Sequence, residues 1–153
     1  MLVHFICRGN VFRSIIAEAY LKSLGIDGIR VMSSGTVADK YEGVNQQYLK
    51  GTTDLLKAHG IDSFVKEHLG EQLQRADIIP GDVVICMNRI VYDECLRFGK
   101  LPEKTFVWDV TDIGEKGRVA LSAGERPRLA EEVYREIATN VDQLVHDGVL
   151  SAT

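Results

Sequence analysis

Three cysteines in 153 residues, with no regular ligand spacing, are too few for a disulfide scaffold and wrongly spaced for a structural zinc site. The N-terminal apolar run stops at Arg8, far short of the roughly 20 residues that a membrane-spanning helix needs, and nothing before it reads as a secretory leader. No Lys/Arg block is present and the formal net charge is -4, which removes the concentrated positive footprint that nucleic-acid backbones require. No repeat or low-complexity linker divides the chain, and 45% hydrophobic residues suffice for one core, so a single domain over residues 1–153 is expected. These absences lead to the expectation of a cytoplasmic, reducing setting with no nucleic-acid or membrane partner. Such a setting suits a free thiol.

What the chain does contain is an alternation of short apolar runs and helical patterns. Leu2 to Cys7 reads as a buried strand, followed by a turn and a helix capped by Ser14, with Ile16, Ala17, Ala19, Tyr20, Leu21 and Leu24 at helical spacing. Ile29 to Ser33 is a second strand, and a long excursion then runs from Val37 to Gly51. Thr52 or Thr53 is expected to cap the next helix, and Leu73 to Ala76 to form a short helical turn. Val83 to Met87 is the clearest central strand, with a helix through Ile90, Val91, Cys95, Leu96 and Phe98 after it. Thr105 to Val110 supplies a fourth strand containing Trp108, expected in the core. Pro127 opens a last helix with Leu129, Val133, Ile137, Val141, Leu144 and Val145 largely on one face. Strand then helix, four times over, implies an α/β fold whose parallel sheet is covered on both sides.

The segment Cys7-Arg8-Gly9-Asn10-Val11-Phe12-Arg13-Ser14 carries the candidate chemistry. Five residues between Cys7 and Arg13 could wrap backbone around one tetrahedral oxyanion, with Gly9 and Asn10 tolerating unusual backbone angles. The N–H groups of Arg8 to Arg13 could converge as a nest, and the helix N-terminus would reinforce the field that favours a Cys7 thiolate. Arg13 offers a planar fork for two phosphoryl oxygens. Ser14 could donate to the Cys7 sulfur. Against this stand the bland alternatives of a buried strand cysteine, a surface arginine and a simple cap.

The chain resembles the low-molecular-weight protein tyrosine phosphatase family, related to thioredoxin-coupled arsenate reductases. Carrying the resemblance are Cys7 to Ser14, the following Ile16-Ala17-Glu18-Ala19, Ser33-Ser34-Gly35-Thr36, His68, Asp82 to Met87, and Val110-Thr111-Asp112. It implies a three-layer sandwich with a central four-stranded parallel sheet and a phosphate loop after the first strand. It also implies attack by Cys7 to form a phosphocysteine, oxygen binding by Arg13 and the loop, and Asp112 as the acid that protonates the leaving phenolate and then activates water. Asn10, Ser33 and His68 are implied to brace the loop. The implied substrate is a phosphotyrosine-containing protein or small aryl phosphate, with inorganic phosphate as product and neither metal nor other cofactor. Two departures stand out. Phe12 replaces the second loop cysteine common in the family, and Ile113 stands where a proline usually follows the acid, with the aromatic pair often found beyond it missing, leaving Tyr41 or Trp108 to replace part of the aromatic wall. The competing functions are an arsenate reductase using Cys86 or Cys95 as resolving thiols, and a noncatalytic phosphoprotein-binding module.

Overall fold

The computed structural model describes residues 1–41, 46–110 and 125–151. Four strands, β1 (Leu2–Cys7), β2 (Arg30–Gly35), β3 (Val83–Cys86) and β4 (Thr105–Val107), pair in parallel in the order β2-β1-β3-β4. Among the described residues four α-helices accompany them: α1 (Arg13–Ser23), α2 (Gln46–Ala58), α3 (Arg89–Cys95) and α4 (Glu125–His146). The pleat sorts the side chains of the sheet between two cores. Val3, Phe5, Cys7, Val83, Ile85 and Met87 face the larger one with Ile15, Ile16, Ala19 and Leu21 of α1 and Val133, Ile137 and Val141 of α4. Ile6, Val84 and Cys86 face the smaller one with Val91 and Cys95 of α3. The result is the three-layer α/β arrangement expected from the strand–helix alternation.

β1 is buried from Val3 to Cys7 because both its neighbours are strands and both its faces are covered. Even His4 is fully buried there. Its Nδ1 lies 2.6 Å from the Pro80 carbonyl, which can only accept, so Nδ1 carries the proton and Nε2 accepts from Ser34 Oγ at 2.6 Å. Burial lowers the His4 pKa from its usual value and keeps the ring neutral.

Several boundaries differ from the sequence expectations. β2 runs to Gly35 because backbone N–H groups of the neighbouring segment pair with it, Leu73 N–H donating to Gly35 O at 2.9 Å. The same pairing keeps Leu73 to Ala76 out of a helical turn. α2 starts at Gln46, so Thr52 and Thr53 lie inside it and cap nothing. Ser14 is likewise inside α1, whose N-cap is Phe12 with no side-chain cap bond. Leu24 of the expected α1 stripe is exposed, and Gly25 takes φ 62° just beyond the helix, the usual left-handed stop. Trp108 lies beyond the end of β4 and is only half-buried against Phe5, with ring centroids 5.9 Å apart. Among the described residues no helix is long and apolar enough to cross a membrane.

Candidate active site

The strand order reverses direction of travel at β1, and the crevice beyond its carboxyl end, between β1 and β3, is where ligands bind in open parallel sheets. Cys7 is the last residue of that strand and α1 opens at Arg13. The intervening loop needs a left-handed residue, and Asn10 rather than Gly9 supplies it, with φ 54°. Asn10 tolerates that angle because its side chain is fully committed. Its Nδ2 donates to Ser14 Oγ at 2.8 Å and Ser33 Oγ at 2.9 Å, while its Oδ1 accepts from Glu71 N–H at 3.0 Å. Ser33 Oγ in turn donates to the buried carboxylate of Glu18 at 2.5 Å, and Lys22 Nζ donates to the other Glu18 oxygen at 2.6 Å.

Two polar groups face the sulfur. Asn10 N–H points to Cys7 Sγ at 3.2 Å, and Ser14 Oγ lies 3.0 Å from it. Since Ser14 Oγ already accepts from Asn10, its own proton is available to the sulfur. The N–H groups of Gly9, Val11 and Phe12 have no acceptor among the described residues, which leaves three loop amides for a ligand. Arg13 is buried, and its Nη1 donates to Val110 O at 3.3 Å, tying this arginine to the chain just before Thr111.

The loop is held from outside by contacts that the sequence reading did not single out. Thr52 Oγ1 of α2 donates to Val11 O at 2.7 Å. Arg8, expected among the substrate-binding residues, turns its Nε to Glu94 Oε1 of α3 at 3.1 Å, and Thr36 Oγ1 donates to the same oxygen at 3.1 Å. Gly35 is required where β2 passes under the loop: a Cβ there would stand 2.4 Å from Arg8 O. Phe12 is partly buried against the larger core. Glu18 was detectable in principle as an acid inside the apolar stretch Ile15 to Ala19, whereas Thr52, Lys66 and Glu94 lie in ordinary polar surroundings and carry no local signal.

His68 corrects one expectation. It is exposed and forms no hydrogen bond among the described residues, so it does not brace the loop. The basic side chain of that segment that reaches inward is Lys66, which donates from Nζ to Ser33 O on β2 at 3.0 Å. Asp112 and Ile113 lie outside the described residues, as does the side chain of Tyr41. Asp109 is exposed, and its negative charge, after burial, helps raise the pKa of Glu136 on α4, so it faces that helix. The arsenate-reductase expectation lacks a resolving thiol: all three cysteines are free, and Cys86 and Cys95 sit in the core opposite to that of Cys7. No cluster of metal-ligating side chains occurs among the described residues.

A buried cysteine before a helix N-terminus, at the switch point of a parallel sheet and with uncommitted amides in the loop between, has the geometry of a candidate anion site. The family model for low molecular weight phosphotyrosine protein phosphatase matches residues 2–147, and the chain belongs to that family. A rat low molecular weight phosphotyrosine protein phosphatase is 34% identical over 91 residues, 56% of this chain and 54% of the relative, so the match spans about half of that relative's length. A protein-arginine-phosphatase of Geobacillus stearothermophilus is 27% identical over 141 residues, 92% of this chain and 90% of the relative. Among solved structures, Wzb of Vibrio vulnificus in complex with benzylphosphonate superposes with a TM-score of 0.74 at 19% identity, covering 95% of this chain and 97% of that one.

Proposed function

We propose that this chain is a cysteine-dependent phosphomonoester hydrolase acting, as one domain, on phosphotyrosine in proteins or on small aryl phosphates. The observation that carries the reading is the sulfur of Cys7 held between Ser14 Oγ and Asn10 N–H at the mouth of a loop with three uncommitted amides. In the first step the Cys7 thiolate attacks phosphorus, a sulfur–phosphorus bond forms, and the bond to the ester oxygen breaks. That oxygen leaves with a proton from Asp112. Arg13 and the loop amides hold the equatorial oxygens as charge shifts through the transition state. In the second step Asp112 takes a proton from water, which attacks phosphorus and releases inorganic phosphate. The departing Cys7 thiolate receives the Ser14 hydroxyl proton as a hydrogen bond. The chemistry needs no metal, since Arg13, the amides and the α1 N-terminus provide the positive field. A free thiol nucleophile fits a reducing compartment, and the cytoplasm is the location this reading implies.

A second reading is favoured by the extent of one match. The arginine-phosphatase relative aligns over 92% of this chain, against 56% for the rat phosphotyrosine phosphatase, so phosphoarginine is the competing substrate. Both substrates pass through the same phosphocysteine. They separate on rate: phosphotyrosine peptide should turn over faster than phosphoarginine peptide on the first reading, and the reverse ranking would establish the second.

The mechanism is tested by rapid-quench mass analysis of wild type and Asp112→Ala during turnover of 4-nitrophenyl phosphate. Phosphate should appear on Cys7 and accumulate further in the variant, where water is activated poorly. Turnover that survives Cys7→Ser, with no phosphorylated Cys7 peptide, would refute the covalent mechanism. Tight phosphate-analogue binding without any Cys7-dependent release of phosphate would instead identify a phosphoprotein-binding module.

A further inference from the structure

Three carbonyls of the loop between β1 and α1 are held from outside it. Arg8 O accepts from Val37 N–H at 3.0 Å, Asn10 O from Gly70 N–H at 2.8 Å, and Val11 O from Thr52 Oγ1 at 2.7 Å. A planar trans peptide points its carbonyl and the following N–H in opposite directions, and no peptide bond among the described residues is cis. Each of these bonds therefore fixes the aim of one amide. With Arg8 O held by Val37, Gly9 N–H faces the other way. Asn10 O sets Val11 N–H in the same manner, and Val11 O sets Phe12 N–H. Gly9, Val11 and Phe12 are the three loop residues whose N–H groups have no acceptor among the described residues.

The three anchors differ in kind. Val37 and Gly70 hold their carbonyls with backbone N–H groups, which most substitutions at those positions leave in place. Thr52 uses a side-chain hydroxyl, so the Val11–Phe12 peptide is the one of the three whose direction depends on residue type. Thr52 lies inside α2, one turn before Leu56, and both side chains are buried. A buried hydroxyl needs a hydrogen-bond partner, and here the loop carbonyl accepts from it.

We infer that Thr52 is a positioning residue for oxyanion binding: by holding Val11 O it aims Phe12 N–H at the anion that the loop encloses. The inference rests on the reading of Cys7 to Ser14 as a phosphate-binding loop. Thr52 acts through that peptide. Once released, the peptide can turn its carbonyl toward the anion, which replaces an attraction with a repulsion.

The experiment is a calorimetric titration of the full chain with tungstate, a tetrahedral dianion that stands in for phosphate. Thr52→Val keeps the shape of the side chain and removes the donor, and it should raise the tungstate Kd about fivefold or more. Thr52→Ser restores the hydroxyl and should bind within about twofold of wild type. Urea denaturation of each variant confirms that the titrated protein is folded, so a change in Kd is separate from a change in stability. Thr52→Ala carries the test if the valine variant does not fold. Amide NMR of the wild type carries it if neither does: tungstate should shift the Phe12 N–H signal together with those of Gly9 and Val11, and an unmoved Phe12 signal would overturn the inference. So would affinities of Thr52→Val and wild type within about twofold, or equal losses in Thr52→Val and Thr52→Ser. Wild type that binds no tungstate would remove the phosphate-loop reading and the inference with it. Hydrolysis is scored separately, by Cys7-dependent release of phosphate from 4-nitrophenyl phosphate, and a Thr52-dependent tungstate affinity supports the inference whichever way that measurement falls.

Discussion

Cys7 and Cys86 occupy adjacent parallel strands, with Cys86 paired in register beside Ile6, one residue short of Cys7. Both thiols are buried, yet the pleat sends them to opposite faces and into opposite chemistry. Around Cys7 are an amide N–H and a hydroxyl, with the eleven-residue helix α1 opening six positions on. Cys86 instead faces Cys95, where their mutual hydrogen bond, followed by burial, pushes the Cys95 thiol well above its ordinary range and keeps it protonated. The comparison teaches that burial alone leaves a cysteine inert, and that directed donors are what the proposed role of Cys7 as nucleophile depends on.

The most direct way to break the contrast is to exchange the sulfurs' importance. Cys7→Ser should lower kcat/KM for an aryl phosphate by about 10³-fold or more, since nothing else in the loop can attack phosphorus. Next in size, Arg13→Lys should cost about 10²-fold or more, because a lysine cannot present a planar fork to two oxygens, and the loss should fall on kcat. Asn10→Ala leaves Ser14 and Ser33 without their shared donor and Glu71 N–H without its acceptor. A stability loss of about 1–3 kcal/mol in urea denaturation is expected, with activity falling about tenfold. On the other face, Cys86→Ala should leave turnover within about twofold while destabilising by about 1–2 kcal/mol through the small cavity it opens. Loss of turnover in Cys86→Ala equal to that of Cys7→Ser would dissolve the distinction and revive a thiol cascade.

The smallest effect concerns His4, whose folded pKa lies below its usual value of 6.5. Above that value the ring is neutral in both states and the fold is unaffected. Below it the unfolded chain takes up the proton first, so stability falls as pH drops from about 6.5 toward the depressed folded value, by at most about 1.4 kcal/mol per pH unit. Urea midpoints of wild type and His4→Gln at pH 7.5 and 5.5 check this. The decline should be shallower in the variant.

The fold was largely legible because β1 and β3 are continuous apolar runs and α4 repeats its apolar positions at helical spacing. Element ends were harder to read. Ser14, Thr52 and Thr53 have the chemistry of helix caps, but tertiary partners claimed Ser14 and Thr52: Cys7 and Asn10 took the Ser14 hydroxyl, and Val11 O took that of Thr52. Trp108 read as core because its neighbours are apolar and β-branched. It lies past the end of the edge strand β4, where covering is incomplete. His68 read as a brace by resemblance, whereas it is exposed and it is Lys66, two residues earlier, that donates to Ser33 O.

From the chain alone came the order of strands and helices and a cysteine at the end of the first strand separated by five residues from an arginine. These depend on local periodicity and on which residues share one short loop, both properties of neighbours in sequence. Only the tertiary structure decided that Glu18, Ser33, Lys66 and Glu71 converge behind that loop, that Glu94 holds Arg8, and that Cys86 and Cys95 are walled off from Cys7. Those pairings join residues up to 86 positions apart, and their energies depend on burial and on the direction of each donor, which exist only once the sheet has formed.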